Sequence, residues 1–235
     1  FSATLYQLMW TVLPVPYRLF FKSRPDATLF FNYYLPPFAG GKKLLAVYDT
    51  VVKDFPETMS FKTRTMLRLT LSRSVKRADR IITISEFSKG QIIKHFGVPP
   101  EKVVIIPCAA DEKRFYPISD REAARERVCP KYGIGGRYFL YLGNLEPRKN
   151  IIRLTEAYAE AAKRCPELPL LVIAGGKGWQ YDGIFNRVRE LGLSDRVVFT
   201  GYIDDDDVVL LMNGAEAFCF PSLYEGFGMP PLEAM

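Results

Sequence analysis

A chain of 235 residues is long enough for one or two domains, and its 48% apolar and 25% charged residues are typical of a globular protein rather than a disordered one. The net charge of +6 is unevenly distributed, because residues 1–115 carry 18 basic and nine acidic side chains whereas the remainder carries 14 and 17. We therefore expect the first half to meet an anionic partner, such as membrane lipid, nucleic acid or a lipid-phosphate substrate. Four widely separated cysteines argue against a disulfide framework or a zinc site and favour a reducing compartment.

The first 21 residues are apolar and aromatic, but Gln7, Pro14, Pro16 and Arg18 interrupt them. The longest apolar run is therefore shorter than the roughly 20 residues that a membrane-spanning helix needs. We expect a buried or groove-lining helix there.

Strand and helix patterns alternate through the first half of the chain. Apolar, β-branched stretches predict strands over residues 27–34, 44–49, 80–84 and 102–107, with helices over 58–78 and 86–96 between them. This order predicts a parallel sheet covered by helices. We assign residues 1–110 to this first domain.

Residues 111–136 are polar and predict an interdomain connection with a short helix over 120–128. The alternation restarts over residues 137–235, where we expect strands over 138–143, 168–174, 197–201 and 217–220, and helices over 150–164, 181–191 and 205–213. Such a doubly wound α/β domain binds its ligand outside the carboxyl ends of the strands. The acidic run Asp204–Asp207 is expected to cap the last of these helices and complement its dipole rather than to bind Mg²⁺.

The last 15 residues combine a glycine loop with a predicted helix start at Pro230-Pro231. Gly226 and Gly228 allow the backbone to approach a ligand closely, and the helix amides suit a phosphate. Glu225 and Glu233 would repel a phosphate, so we assign them to hydroxyl groups. The stretch therefore predicts a ligand that carries both phosphate and sugar hydroxyls.

A second loop, at residues 143–150, follows the first predicted strand of the second domain. Gly143 allows close backbone approach, and Arg148 and Lys149 bring positive charge to a helix N-terminus. This combination suits a diphosphate.

Both stretches resemble motifs of one family. Glu225-x7-Glu233, preceded by Pro-Ser-x-Tyr and containing Gly-Phe-Gly, resembles the signature of the retaining glycosyltransferases of family 4, which have the GT-B fold. Gly-x-x-x-Pro-Arg-Lys-Asn resembles the diphosphate-binding loop of that family. Asn144 stands where many members have an arginine for the phosphates, and Tyr48 stands where many have the histidine of a His-Asp pair.

The resemblance implies α/β architecture with two Rossmann-like domains and an interdomain cleft for the donor. It also implies two further strands beyond Met235, so the chain resembles the middle of a longer protein. Lys149 and Glu225 are the implied catalytic residues, and Glu233 would bind the ribose. The implied donor site comprises Gly143, Asn144, Arg148, Lys149, Tyr202, Ile203, Glu225, Gly226, Phe227, Gly228, Met229 and Glu233. Tyr48, Asp49 and Ser85 are weaker candidates on the donor-sugar or acceptor side.

The implied reaction is retaining, metal-independent transfer of a hexose from a nucleotide-sugar substrate, with no cofactor. Mannose from GDP-mannose is the first choice, and glucose, rhamnose or GlcNAc are alternatives. The acceptor would be a saccharide or lipid-linked saccharide in polysaccharide or lipopolysaccharide assembly. Two alternative hypotheses remain. In the first, the chain is a nucleotide-sugar 2-epimerase of the same fold, and in the second it is a catalytically inactive relative that binds a saccharide or a membrane.

A basic run in the first domain has two interpretations: a solvated helix face, or a face that meets anionic lipid. Its members are Lys62, Arg64, Arg68, Arg73, Lys76 and Arg77. The second interpretation predicts a cytoplasmic protein peripheral to the membrane. No nucleic-acid-binding motif accompanies the run, so we expect no nucleic-acid partner.

Overall fold

The computed structural model describes residues 25–235, which form two compact units. The first contains the described residues up to Cys108 together with Glu225–Phe227, and the second contains Ala109–Tyr224 and Gly228–Met235. The helix predicted over the first 21 residues lies outside the described residues.

A parallel sheet of four strands forms the centre of the first unit, in the order β1-β2-β3-β4. The strands are β1 (Ala27–Phe30), β2 (Lys42–Ala46), β3 (Arg80–Thr83) and β4 (Val103–Ile105). The helices are α1 (Val51–Asp54), α2 (Phe61–Arg77) and α3 (Glu86–Phe96). The predicted alternation of strands and helices is confirmed.

The second unit contains another four-stranded parallel sheet, in the order β7-β6-β5-β8. Its strands are β5 (Tyr138–Leu142), β6 (Leu170–Ala174), β7 (Val197–Gly201) and β8 (Ala217–Phe218). Its helices are α4 (Arg121–Val128), α5 (Ile151–Arg164), α6 (Asp182–Glu190), α7 (Asp205–Gly214) and α8 (Met229–Ala234).

Local chemistry sets several helix ends. Ser85 caps α3 by accepting a hydrogen bond from the Ser88 amide at 3.0 Å, and Gly97 ends the helix with φ of 61°. Asp120 caps α4 in the same way, through the Ala123 amide at 2.9 Å. These ends were predictable because side chains within three or four positions make them.

The first strand is shorter than its aromatic composition predicts. It ends at Phe30 rather than at residue 34, because Asn32 and Tyr33 have φ values of 60° and 65°. Left-handed backbone cannot continue a strand. The prediction over residues 31–34 was therefore wrong, and this segment is a loop at the carboxyl end of β1.

Each sheet packs on buried aliphatic side chains from its helices. In the first unit, Leu45 and Ile81 pack in one cluster with Leu71 of α2 and Ile92 of α3. Complete burial of such a side chain contributes about 1.5–3 kcal/mol. The second unit has two clusters, which include Leu140 and Val172 in one and Leu171 and Ile173 in the other. Successive residues of one strand therefore pack on opposite faces of the sheet.

The segment predicted as a connection is packed on the second unit. Arg125 of α4 donates to Gly214 O at 2.7 Å, and the Ile118 amide donates to Asn213 Oδ1 at 2.7 Å. The structure accordingly groups residues 109–136 with the second unit.

The strand order of the second unit reverses between β5 and β8. From β5 the chain proceeds to β6 and β7 on one side, and β8 then joins β5 on the other. In an open parallel sheet, such a switch point leaves a crevice at the carboxyl ends of the two strands. The loops that follow β5 and β8 carry the two motifs singled out above.

Candidate active site

The loop after β5 begins at a point of very close backbone packing. A Cβ atom at Gly175, which has φ of 134°, would lie 2.1 Å from the carbonyl oxygen of Gly143. The Gly143 amide donates to Ala174 O at 2.9 Å, and the Gly175 amide donates to Gly201 O at 2.8 Å. Only glycine fits at position 175, so the loops after β5, β6 and β7 lie directly against one another.

The same loop then forms a short 3₁₀ turn over Pro147–Lys149, and Asn150 follows in left-handed conformation with φ of 56°. Helix α5 starts at Ile151 without a side-chain cap. The Asn150 side chain instead donates to Pro221 O at 3.1 Å. The turn thus presents Arg148 and Lys149 at the switch point.

The loops after β5 and β8 are hydrogen-bonded to each other. Besides the Asn150 contact, the Leu223 amide donates to Arg148 O at 2.9 Å, and Arg148 Nη1 donates to Tyr224 O at 2.8 Å. The Lys149 ammonium lies 5.4 Å from the centroid of the Phe220 ring, within the range of a cation–π contact. A cation is therefore fixed beside the end of β8.

Beyond the glycine loop, α8 begins at Met229, with Gly228 at φ of 98° and two prolines in its first turn. Glu233 lies in this helix and is half-buried. Burial raises the pKa of its carboxyl group, and the charge of Arg114 partly offsets that effect. The prediction that Glu233 binds a ribose stays a prediction.

Tyr202 and Ile203, in the loop after β7, differ in their exposure to solvent. Tyr202 is 71% exposed and Ile203 is buried. At Gly201, φ is 71°, so the chain turns sharply as it leaves the strand. The assignment of Tyr202 and Ile203 to the donor site stays a prediction. Asn144, at the start of the loop after β5, is exposed.

The acidic run that follows is held by an ion-pair cluster. Lys131 Nζ contacts carboxylate oxygens of Asp204 at 2.7 Å and Asp207 at 2.5 Å, and Tyr132 donates to Asp207 at 2.7 Å. These contacts raise the pKa of Lys131 and lower that of Asp207. Asp204 occupies the N-cap position of α7 but makes no side-chain cap hydrogen bond. Its carboxylate is paired with Lys131, so only the dipole part of the predicted role agrees with the geometry.

Within residues 25–235 no three His, Cys, Asp or Glu side chains converge as a metal site would require.

In the first unit, the segment Glu225–Phe227 is seated on α3. The Gly226 carbonyl oxygen accepts from Ser85 Oγ at 2.5 Å and lies 3.0 Å from Ser88 Oγ. A Cβ atom at Gly226 would lie 2.4 Å from Tyr48 O. The structure therefore brings the candidates Tyr48, Ser85 and Gly226 together, and Phe227 is 36% exposed at the same segment.

Tyr33, in the loop after β1, contacts the residues that follow β2 and was not identified from the sequence. Tyr33 donates to Asp49 Oδ2 at 3.0 Å, and its ring meets that of Tyr48 edge-on at a centroid distance of 5.7 Å. Tyr33 was assigned to a strand, so its side chain was not considered. The left-handed backbone that turns it toward Asp49 has no signal in the local sequence.

The basic residues of the first unit lie along α2. Five are exposed and Arg64 is half-buried, which is compatible with both interpretations of the run. Among residues 25–235, no helix is both long enough and apolar enough to cross a membrane.

Two solved structures resemble this chain in fold. Sucrose-phosphate synthase from Thermosynechococcus elongatus matches 93% of this chain and 55% of its own, with a TM-score of 0.70 and 23% identity. Anabaena HepE in complex with UDP-glucose matches 83% and 50%, with a TM-score of 0.64 and 20% identity. Together with the two parallel α/β units, these similarities show the GT-B fold that the motifs implied.

Sequence comparisons identify the family. Residues 1–114 match the family described as Glycosyltransferase Family 4, and residues 126–235 match that described as Glycosyl transferases group 1. The two matches together span nearly the whole chain, so the chain belongs to the glycosyltransferases that these two descriptions, family 4 and group 1, define. O-antigen chain mannosyltransferase B of Escherichia coli is 33% identical over 211 residues, which is 87% of this chain and 53% of the relative. The chain thus spans about half the length of that relative.

Proposed function

We propose that this chain forms the nucleotide-sugar-binding part of a retaining glycosyltransferase that moves mannose from GDP-mannose to a saccharide or lipid-linked saccharide. The observation that carries the proposal is the pair of hydrogen-bonded loops at the β5–β8 switch point, with the Lys149 ammonium held beside them. The similarity to an O-antigen chain mannosyltransferase supports mannose as the sugar and a saccharide as the acceptor. The solved structure of a relative with UDP-glucose supports a nucleotide-sugar donor.

Lys149 supplies the positive charge for the diphosphate. When the bond between the sugar and the phosphate breaks, negative charge builds on the leaving phosphate oxygens. A fixed ammonium group stabilises that charge more than it stabilises the ground state, and this difference accelerates the reaction. The backbone amides that follow Gly226, before the two prolines, add neutral donors to the same group.

Glu225 and Glu233 bind hydroxyl groups. Glu233 is assigned to the ribose, and Glu225, with Gly226–Met229 after it, is assigned to the transferred sugar. In the proposed reaction the acceptor hydroxyl attacks the anomeric carbon from the face that the phosphate leaves, so retention needs no carboxylate nucleophile. The leaving phosphate accepts the proton of the attacking hydroxyl. We propose that the reaction uses neither a metal ion nor a cofactor, because Lys149 and the backbone amides balance the charge of the leaving diphosphate.

Donor hydrolysis tests the proposal without knowledge of the acceptor. The full-length protein is incubated with GDP-mannose in the presence of EDTA, and the released sugar is followed by NMR. We expect slow release of α-mannose, with the anomeric configuration of the donor. Release of the β-anomer would contradict retention, a 2-epimerised sugar would favour the epimerase, and no cleavage of GDP-mannose, UDP-glucose or dTDP-rhamnose would favour an inactive relative.

For the acceptor side, we propose that the exposed basic face of α2 holds the protein at the cytoplasmic surface of an anionic membrane. Arg68, Arg73 and Lys76 are exposed on this helix. Co-sedimentation with vesicles containing phosphatidylglycerol tests this, and it should be lost in a triple Arg68→Gln, Arg73→Gln, Lys76→Gln variant. Equal sedimentation with neutral vesicles would contradict it.

A further inference from the structure

Arg148 lies in the loop after β5, but its side chain is directed to the loop after β8. Its Nη1 donates to the Tyr224 carbonyl at 2.8 Å and its Nη2 donates to Glu146 Oε1 at 2.6 Å. Its own carbonyl accepts from the Leu223 amide at 2.9 Å. One residue therefore joins the two loops through both its side chain and its backbone.

The environment of this guanidinium group is that of a structural contact. The side chains of Arg148 and Glu146 are only 20% and 22% exposed. A planar guanidinium holds two acceptors in fixed directions, which an ammonium group cannot do. Because Tyr224 immediately precedes Glu225 in the chain, fixing the Tyr224 carbonyl also fixes the direction in which the backbone enters Glu225.

Asn150 makes the matching contact on the other side of Lys149. Its left-handed backbone directs the side-chain amide to Pro221 O at 3.1 Å. Lys149 thus lies between two residues that both hold the turn against the loop after β8. Its ammonium lies over the Phe220 ring, close to the start of that loop.

We propose that Arg148 is a positioning residue and not a phosphate ligand. It sets the loop after β8 against Lys149, and Lys149 alone supplies the charge in this turn that binds a nucleoside diphosphate. This inference rests on the proposed function and replaces the sequence-based assignment of Arg148 to the diphosphate.

Two substitutions separate geometry from charge. Arg148→Lys keeps the charge but cannot hold Tyr224 O and Glu146 together, and Arg148→Gln removes the charge as well. GDP affinity is measured by calorimetry on the full-length protein between about 0.05 and 0.5 M salt, because screening weakens ionic contacts selectively. Arg153→Gln, at a 77% exposed position of α5, is the control for loss of one charge.

A positioning role predicts that both Arg148 variants bind GDP about tenfold more weakly, as expected when one favourable hydrogen-bonded arrangement is lost. Their salt dependence should equal that of the unsubstituted protein. Asn150→Gly, which keeps the left-handed backbone and removes the amide, should weaken binding in the same direction and gives a second test if the arginine variants do not fold.

Other results would overturn the inference. If Arg148→Lys binds GDP normally while Arg148→Gln binds weakly with a flatter salt dependence, Arg148 is a phosphate ligand. If both variants lower only the melting temperature, its role is merely structural. If the unsubstituted protein binds neither GDP nor UDP nor dTDP, the proposed function itself fails, and the inference fails with it.

Discussion

The carbonyl oxygen of Gly226 accepts a hydrogen bond from Ser85 Oγ at 2.5 Å, so the N-cap residue of α3 also holds the glycine loop. The Ser85 hydroxyl group accepts a hydrogen bond from the Ser88 amide and donates its proton to the Gly226 carbonyl oxygen. It therefore acts as donor and acceptor at once. The Ser85 side chain therefore contributes both to the cap of a helix and to the position of a candidate ligand loop, and Ser88 Oγ, at 3.0 Å, contacts the same carbonyl oxygen.

Gly226→Ala should displace this loop, because the added Cβ would lie 2.4 Å from the Tyr48 carbonyl oxygen. We expect the extra affinity for GDP-mannose over GDP to fall about tenfold, the equivalent of about 1.4 kcal/mol, with a smaller change for GDP alone. Calorimetric titration with both ligands measures this difference. Gly90→Ala, in open space on α3, is the control and should stabilise the helix by about 0.5–1 kcal/mol. If the ratio of GDP-mannose affinity to GDP affinity is unchanged in Gly226→Ala, the packing of Gly226 against Tyr48 does not affect binding of the sugar.

Gly175→Ala should destabilise the second unit by about 2 kcal/mol or more, because its backbone has φ of 134° and the added methyl would meet Gly143 O at 2.1 Å. Urea unfolding followed by circular dichroism measures the loss. Gly136→Ala has no atom within 4 Å of its Cβ position and should leave the free energy of unfolding within about 0.5 kcal/mol of the original. Similar effects of the two substitutions would contradict the close packing of the strand ends.

Glu233 should make stability depend on pH in the opposite sense from a paired carboxylate. Burial raises its pKa above the ordinary value of 4.5, so in this window the folded state binds more protons than the unfolded state. The free energy of unfolding should therefore fall as pH rises from 4.5 through the folded pKa of Glu233. Glu233→Gln should remove this component, as measured by urea unfolding at a series of pH values.

Glu160 provides the contrasting case, because Lys163 lowers its pKa. Its contribution to the free energy of unfolding should be present at pH values above its ordinary pKa of 4.5 and should be lost as pH falls. Glu160→Gln should therefore remove a pH dependence of stability whose sign is opposite to that of Glu233. If Glu233→Gln leaves the pH profile unchanged, the carboxyl group is better solvated than its position in α8 indicates.

Tyr33→Phe should weaken the first unit by about 1 kcal/mol, because it removes the 3.0 Å hydrogen bond to Asp49 while keeping the ring against Tyr48. The change in urea midpoint measures this loss. Tyr116→Phe, at a 52% exposed position, serves as the control and should be neutral. Equal stability of the two variants would mean that the Tyr33–Asp49 contact contributes nothing.

The architecture could be predicted because it rests on periodic signals. Alternating strands and helices specified two parallel sheets, and the glycine motifs fell at the carboxyl ends of β5 and β8, where the strand order reverses. Capping by Ser85 and Asp120 is also local, since each side chain accepts a hydrogen bond from an amide three residues further along the chain.

Contacts between distant residues could not be predicted in this way. The charge of Arg148 is visible in the sequence, whereas its contact with Tyr224, 76 positions away, is not. Tyr33 was missed for a similar reason, because its left-handed backbone follows from packing rather than from its own residue type. The segments that differ most from expectation are loops, whose conformation depends on tertiary contacts.

The most direct test of the proposed diphosphate site is a calorimetric titration of the full-length protein with GDP, with UDP, dTDP and NAD as comparisons. We expect GDP to bind and its affinity to fall at least tenfold in Lys149→Gln. Lys163→Gln, which removes the same charge from an exposed position of α5, should leave the affinity unchanged. Binding of no nucleoside diphosphate, or equal binding by Lys149→Gln and the unsubstituted protein, would contradict the assignment of the switch-point loops to a diphosphate.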